Sequence, residues 1–260
     1  MSILNTIVAH KKKEVASTKE LIPIPELEKF EYFNRKTISF KDHIIAEDKT
    51  GIIGEFKRKS PSKGIINNTA RVEEVTKGYA LAGASALSVL TDFIFFGGVV
   101  DDLRIARAAN KIPILRKEFI IDEYQILEAK AIGADAVLLI ASILEIKKAK
   151  DLARKAHDIG LQVLMEIHDE NELSRINEHV DVVGVNNRNL DTFVVDLQHS
   201  VSLSEMIPDG FVKISESGIS KPEDILFLRQ HGFDGFLIGE NFMKNDDPVF
   251  AFSEFVKKNM

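Results

Sequence analysis

From Gly51 onward the chain alternates short β-rich runs with amphipathic stretches, and this repetition restricts its fold more than any other feature. The runs cover residues 52 to 57, 86 to 90, 112 to 116, 135 to 140, 161 to 166, 181 to 186, 211 to 215 and 234 to 238. Helix-like stretches lie at about 69 to 82, 99 to 109, 122 to 132, 145 to 158, 169 to 178, 197 to 205, 221 to 230 and 247 to 257. Gly83, Gly133, Gly160 and Gly232 stand near helix ends, where a left-handed cap is expected. Strand alternating with helix implies a parallel sheet, because parallel neighbours need a long crossover. Eight such units within about 210 residues match a (β/α)8 barrel of the TIM type, an α/β fold, better than an open sheet. A doubly wound sheet would suit a Gly-x-Gly-x-x-Gly turn after its first strand, and the sequence has none.

The segment ahead of the first strand reads as an N-terminal helical extension, residues 1 to 48, of one barrel domain spanning 1 to 260, since no Pro/Gly/Ser-rich linker divides the chain. Ile3, Leu4, Ile7, Val8 and Val15 recur at mostly helical spacing over residues 3 to 20, and the Lys11-Lys12-Lys13 run beside them reads as a solvated face. Pro23 and Pro25 end that helix; Ser39, with Asp42 three residues on, suits the N-cap of a second helix to about Ala46. Apolar residues make up 45% of the chain, and 17 Phe are enough to fill a sizeable core. The longest apolar run, Ala136 to Leu144, is far short of the ~20 residues that span a bilayer, and the N-terminus lacks a secretory apolar core. A cytoplasmic protein with no membrane partner is expected. The absence of Cys excludes disulfides, thiolate catalysis and Cys-held metal. A net charge of -6 argues against nucleic acid as a partner, so an anionic ligand needs a locally basic pocket. The oligomeric state is left open, a monomer being compatible with everything in the sequence.

Catalytic groups in such a barrel come from the C-terminal ends of strands and the loops that follow. In GIIGEFKRKSPSKG, residues 51 to 64, Glu55 and Lys57 project to one side of the first strand, expected to be the inside. A buried ion among Ile and Phe is costly unless paired or used for chemistry. Ser60-Pro61-Ser62-Lys63-Gly64 then offers hydroxyls, a cation and a Gly, suited to folding over an anion. Lys117 follows the third strand on the parity of Leu115, and Glu166 lies on the parity of Leu164 in the fifth. Gly184, Asn186 and Arg188 share one parity of the sixth, the Gly leaving room for a ligand or neighbour. Lys57, Lys117 and Arg188 against Glu55 and Glu166 leave a positive surplus at one barrel mouth, so the ligand should be an anion. Ile214-Ser215-Glu216-Ser217-Gly218 and Leu237-Ile238-Gly239-Glu240-Asn241 each end a strand in a Gly turn, the second leading into a short helix at 240 to 243. Backbone N–H groups at such turns hold phosphate oxygens. Phe95, Phe96 and Phe119 read as packing rather than ligand contact, and His168 as a surface residue at a helix start beside Asp169. The seven His are scattered without metal-ligand spacing, so no metal is expected.

The segments Glu55 to Gly64, Leu87-Ser88-Val89-Leu90-Thr91-Asp92 with Phe95-Phe96-Gly97-Gly98, Arg116-Lys117-Glu118-Phe119-Ile120-Ile121-Asp122 and Gly184-Val185-Asn186-Asn187-Arg188-Asn189-Leu190 resemble the indole-3-glycerol-phosphate synthase family. Glu216-Ser217-Gly218-Ile219 and Ile238-Gly239 agree, and the match covers nearly the whole chain. The resemblance implies tryptophan biosynthesis, with a phosphosugar substrate and no cofactor, because the substrate's aniline ring supplies the electrons. It also implies roles. Lys117 would be the acid at the ketone oxygen, Glu166 the base, and Lys57 a second acid that also holds the substrate carboxylate. Glu55 would keep the lysines protonated and oriented, Asn186 and Arg188 would hold sugar hydroxyls, and Ser60 the carboxylate end. Ser217, Gly218, Gly239 and Glu240 would hold the phosphate, Glu240 through its backbone N–H with its side chain pointing away. Asn187 receives no role. Two rival readings are a Schiff-base aldolase using Lys117 or Lys213 and a phosphosugar-binding barrel without turnover.

Overall fold

In the computed structural model, which describes residues 3–189 and 194–258, the eight β-rich runs form eight parallel strands. They are β1 (Ile52–Phe56), β2 (Ala86–Leu90), β3 (Ile114–Lys117), β4 (Ala136–Ile140), β5 (Gln162–Ile167), β6 (Val182–Asn186), β7 (Val212–Glu216) and β8 (Gly235–Ile238). Each pairs with the next, and β8 returns to β1 with Ile53 opposite Leu237, closing the barrel. β3 starts two residues later than its sequence run because Pro113 has no N–H to give the ladder; it therefore includes Lys117 instead of ending before it. Leu190, the last residue of the Gly184 to Leu190 motif, lies outside the described residues.

Nearly every strand residue is buried, because one face fills the barrel and the other meets helices. Ile53, Leu115, Leu138, Leu164, Ile214 and Leu237 form the inner cluster. Phe56, Val89, Val137, Val163 and Val183 belong to the outer one. Three helices precede β1: α1 (Ile3–Leu21), α2 (Ile24–Leu27) and α3 (Phe40–Ile45), the last capped by Ser39, which accepts from the Asp42 N–H. The outer layer comprises α4 (Val72–Leu81), α6 (Val100–Ala109), α7 (Glu123–Ala131), α8 (Ile146–Asp158), α9 (Leu197–Ser204), α10 (Pro222–Gln230) and α12 (Pro248–Lys257). Single-turn helices α5 (Phe93–Phe96) and α11 (Glu240–Met243) follow β2 and β8. Gly54 lets α4 approach β1: a Cβ there would lie 2.6 Å from the Tyr79 ring, which stacks on Phe252 with ring centres 4.6 Å apart.

One connection departs from the sequence pattern. The helix expected at 169 to 178 is a 3-10 helix, Glu170–Arg175. Ser174 donates to the Asn171 carbonyl, and Asn177 bonds the Arg175 carbonyl and the His179 N–H, so side chains compete with the i to i−4 ladder. Among the described residues no helix is long and apolar enough to cross a membrane.

The N-terminal segment runs the length of the barrel. Phe40 and Ile44 of α3 plug the end where the strands begin, Ile44 lying against Gly235. Arg35 pairs with buried Asp135 at 2.6 Å. At the other end Ile3, Leu4 and Ile7 face the barrel mouth. Here Lys11 corrects the sequence reading of a solvated basic face, for it is 1% exposed. Its ammonium lies 3.0 Å from Asp92, 3.0 Å from Glu118 and 2.9 Å from Glu14. Burial would lower the Lys11 pKa, but Glu118 and Asp92 outweigh it and hold the group above its ordinary value. Two of these three carboxylates lie in different loops, after β2 and after β3, which the helical period of α1 could not foretell.

Removing this ammonium leaves Asp92 buried without its cation and leaves Glu118 to the more distant Arg116, 4.0 Å away. Lys11→Met is expected to lower unfolding free energy in urea by about 3 to 5 kcal/mol, the usual range for breaking a buried ion pair. A loss below about 1 kcal/mol, that of an exposed pair, would mean the cluster does not hold α1.

Candidate active site

A cavity of about 520 Å³ opens at the C-terminal ends of the strands, within the range of small-molecule sites. The inward parity of each strand decides which ions reach it. Glu55 and Lys57 enter from β1, Lys117 from β3, Glu166 from β5, Asn186 and Arg188 from β6, and Ser217, Gly218, Gly239 and Glu240 from the turns after β7 and β8. Ser60 to Lys63 complete the wall, in a tight hairpin where Lys59–Ser60 pairs with Gly64–Ile65. The residues given catalytic or substrate-binding roles in the sequence therefore share this one space.

Lys117 is its centre. Its ammonium donates to Glu166 Oε2 at 2.9 Å and to Glu216 Oε2. Glu216, 2% exposed, is the ionisable residue that the sequence reading passed over. Its signal was parity: it ends β7 two residues after Ile214, which points into the barrel. Gly184 makes the neighbouring room, since a Cβ there would run into the Glu216 carboxylate. Lys57 donates to Glu55 Oε1 at 2.7 Å, and Ser88 lies 3.4 Å from the other Glu55 oxygen. Asn186 donates to Glu166 Oε1 at 3.2 Å and accepts from the Arg188 N–H at 3.0 Å.

The two carboxylates on Lys117 are not equivalent. Burial pushes the Glu216 pKa up to about 7 despite Lys117, and the Glu166 charge adds to the rise. Glu216 Oε1 has no hydrogen-bond partner among the described residues, which disfavours its ionised form. Burial acts on Glu166 in the same sense, but Lys117, His168 and the Asn186 hydrogen bond more than offset it and hold Glu166 well below the usual carboxylate range. Burial would also lower Lys117; Glu166, Glu216 and Glu55 outweigh this and keep it protonated. Of these two coupled acids, Glu216 therefore holds a proton more readily than Glu166.

At the opposite wall Ser217 has φ 69°, a left-handed conformation that Ser rarely adopts, followed by Gly218 at φ 76°. These two residues turn the chain sharply beneath the cavity. Gly239 presses against Glu55, because a Cβ on it would lie 2.6 Å from Glu55 Oε1. Asn187, left without a role in the sequence, holds this wall: its amide nitrogen lies 2.9 Å from Ser215 Oγ and 2.9 and 2.8 Å from the Glu216 and Ser217 carbonyls. The Glu240 side chain does not point away, as expected of it; Arg188 draws it in at 3.3 Å, with Lys63 at 3.9 Å.

The expected positive surplus also needs correction. Lys57, Lys63, Lys117, Arg188 and Lys244 face Glu55, Glu118, Glu166, Glu216 and Glu240, so the lining balances if every group is ionised. Protonation of Glu216, which its burial favours, adds one net positive charge. Phe96 and Phe119 line the cavity with ring centres 5.8 Å apart, beside Ile3, Leu4, Ile7, Leu138 and Ile140. Packing therefore does not exclude them from ligand contact, whereas Phe95 turns to the His10 ring. His168 is not a surface residue: its side chain is 13% exposed and lies behind Glu166. Lys213 points elsewhere, donating to the Ser204 carbonyl, and Lys117 is held cationic, so neither suits a Schiff-base nucleophile.

The family model described as Indole-3-glycerol phosphate synthase matches residues 4–255. An indole-3-glycerol phosphate synthase of Bacteroides thetaiotaomicron is 50% identical over 255 residues, covering 98% of each chain. Those of Caldanaerobacter subterraneus subsp. tengcongensis (46%, 98% of each chain) and Bordetella pertussis (44%, 95% of each chain) are also similar. Among solved structures, tryptophan synthase subunit alpha from Legionella pneumophila superposes with a TM-score of 0.62 at 14% identity, over 85% of this chain and 97% of its own. A mutant tryptophan synthase alpha-subunit from Pyrococcus furiosus gives 0.58 at 14% identity, over 82% and 98%. At that identity the likeness is one of fold.

Titrated from high pH with labelled glutamate carboxyls followed by NMR, the pair should take up one proton near 7, on Glu216, while Glu166 stays ionised to well below the ordinary range. Glu216→Gln should abolish that step. Its persistence in the variant would assign the proton elsewhere.

Proposed function

The chain belongs to the indole-3-glycerol phosphate synthase family, and from that premise we propose how its own residues close the ring of 1-(2-carboxyphenylamino)-1-deoxyribulose 5-phosphate to give indole-3-glycerol phosphate, carbon dioxide and water. The observation that carries the assignment is the Lys117 ammonium, bonded to Glu166 and Glu216, in the same cavity as the Gly218 and Gly239 turns. An acid, a base and a phosphate cradle within one small cavity suit this substrate, which has an aryl carboxylate at one end and a phosphate at the other.

The aryl ring packs against Phe96 and Phe119, while Lys57 and Ser60 meet its carboxylate. The phosphate takes N–H groups of the Ser217-Gly218 and Gly239-Glu240 turns. Glu240 contributes its backbone N–H, because its carboxylate is engaged by Arg188. Held so at both ends, the ring carbon bearing the carboxylate faces the ketone before any bond changes.

The ring carbon then attacks the ketone carbon. Electrons move to the ketone oxygen, where Lys117 supplies the proton; a lysine kept cationic by three carboxylates is ready to give one only to a strongly basic, developing alkoxide. Carbon dioxide leaves from the ring carbon that made the attack, and the electrons of that bond restore the aromatic ring. The new hydroxyl departs as water with a proton from Lys57, whose ammonium Glu55 holds in place at 2.7 Å. Glu166 takes the proton from the carbon beside the nitrogen, and the double bond that forms completes the indole. Glu216 restores the proton to Lys117 between steps. Asn186 orients Glu166, and Arg188 holds the sugar hydroxyls.

With the carboxyphenylamino-deoxyribulose phosphate as substrate and indole fluorescence as readout, Lys117→Ala and Glu166→Gln are each expected to lower kcat by at least ~100-fold with the circular dichroism unchanged, as for loss of a general acid or base. Near-normal turnover in either variant would remove that residue from the mechanism. Product formed by the wild type separates the synthase from a binding barrel.

A further inference from the structure

Two carboxylates share Lys117, and something must decide which of them keeps the negative charge. Asn186 bonds Glu166 and not Glu216, but an amide carries no charge. A charged group that also differs between them is His168. Its Nε2 lies 3.4 Å from Glu166 Oε1, and its Nδ1 lies 3.5 Å from Glu172 Oε2. Glu172 is itself buried and accepts from the His168 backbone N–H at 2.7 Å, which anchors it beside the ring. From α9, His199 Nε2 reaches the His168 carbonyl oxygen at 2.6 Å, fixing the backbone on the other side.

A neutral imidazole has one N–H and one lone pair. Neither ring nitrogen makes a hydrogen bond among the described residues, so the contacts are ion-pair distances; there a neutral ring would set its lone pair toward an anionic oxygen, whereas an imidazolium is attracted to both charges. We propose that His168 is a positioning residue, held as an imidazolium between Glu172 and Glu166, that keeps the negative charge on Glu166 and leaves the shared proton on Glu216.

The inference rests on the reading of Glu166 as the base. The groups that face Glu166 are Lys117 from β3, Glu216 from β7, Asn186 from β6 and His168 from the end of β5. Lys117 touches both carboxylates and so discriminates little between them. Of the two carboxylates on Lys117, His168 lies in ion-pair contact with Glu166, while Glu216 acts on it more weakly; its raised pKa agrees with this placement, since burial would lower it and Glu172, Glu166 and Glu216 prevail. Its charge makes Glu166 a weaker base, and in exchange the base is ionised at the pH where Lys117 and Glu216 are protonated.

Two measurements decide it. The ring nitrogens of His168, assigned in the wild-type protein by their loss in His168→Gln, are titrated by NMR; the expected result is a doubly protonated ring at pH 7 that loses its proton only above the ordinary histidine range. A neutral ring at pH 7 would overturn the proposal. Second, kcat/KM is followed against pH. Loss of the cation makes Glu166 bind its proton more tightly, so the acidic limb should move upward by about one pH unit in His168→Gln, and in the same direction in Glu172→Gln, with KM at the plateau within about two-fold. A limb that stays in place in both variants would also overturn it, since a merely structural ring would change stability or overall rate without moving the limb. Near-normal turnover in Glu166→Gln would instead defeat the base assignment, and the ring titration would still support or overturn the imidazolium on its own.

Discussion

A lysine ammonium buried between two glutamates is the constraint on which this mouth depends. Neither Lys117 nor its partners could be buried alone, because an isolated ion in such surroundings loses several kcal/mol of hydration. The cluster forms only when β3, β5 and β7 stand at fixed places around a closed barrel, since Lys117 and Glu216 are 99 residues apart in the chain. Closure thus makes the chemistry possible, and the ion cluster in turn penalises any register that would turn one of these strands by a single residue.

The end of β3 serves two such clusters. Lys117 points into the barrel, while Arg116 on the outer face bonds Glu128 of α7 at 2.5 Å, and Glu118 accepts Lys11 from α1. Thr91 links the sets by donating to Glu118 and accepting from Arg116. Asp92, the other partner of Lys11, also caps α5 through the Phe95 and Phe96 N–H groups. One cation on α1 therefore ties down both loops that carry the aromatic lining, Phe96 and Phe119. The apolar wall and the ionic floor share their supports.

Charge at the mouth is organised as polarity rather than as surplus. Five cations and five carboxylates line the cavity, so its net sign follows the protons held by the acids. A lysine kept cationic by neighbouring carboxylates, one glutamate whose burial favours its proton and one kept anionic by its contacts provide proton donors and an acceptor in a space of about 520 Å³.

Strand and helix order, the inward parity of Glu55, Lys117, Glu166 and Asn186, and the two Gly turns were legible along the chain because each depends on a local period of two or on a turn residue. Even Glu216 lay within reach of the parity argument, at the end of a strand already placed. The 3-10 helix at Glu170–Arg175, buried Lys11 and His168 behind Glu166 were not, because nothing within a few residues of them names their partners. Local periodicity says which way a side chain points and whether an apolar neighbour will cover it. Which charge it then meets, and so which group holds a proton, depends on residues that only the closed barrel brings within 3 to 4 Å.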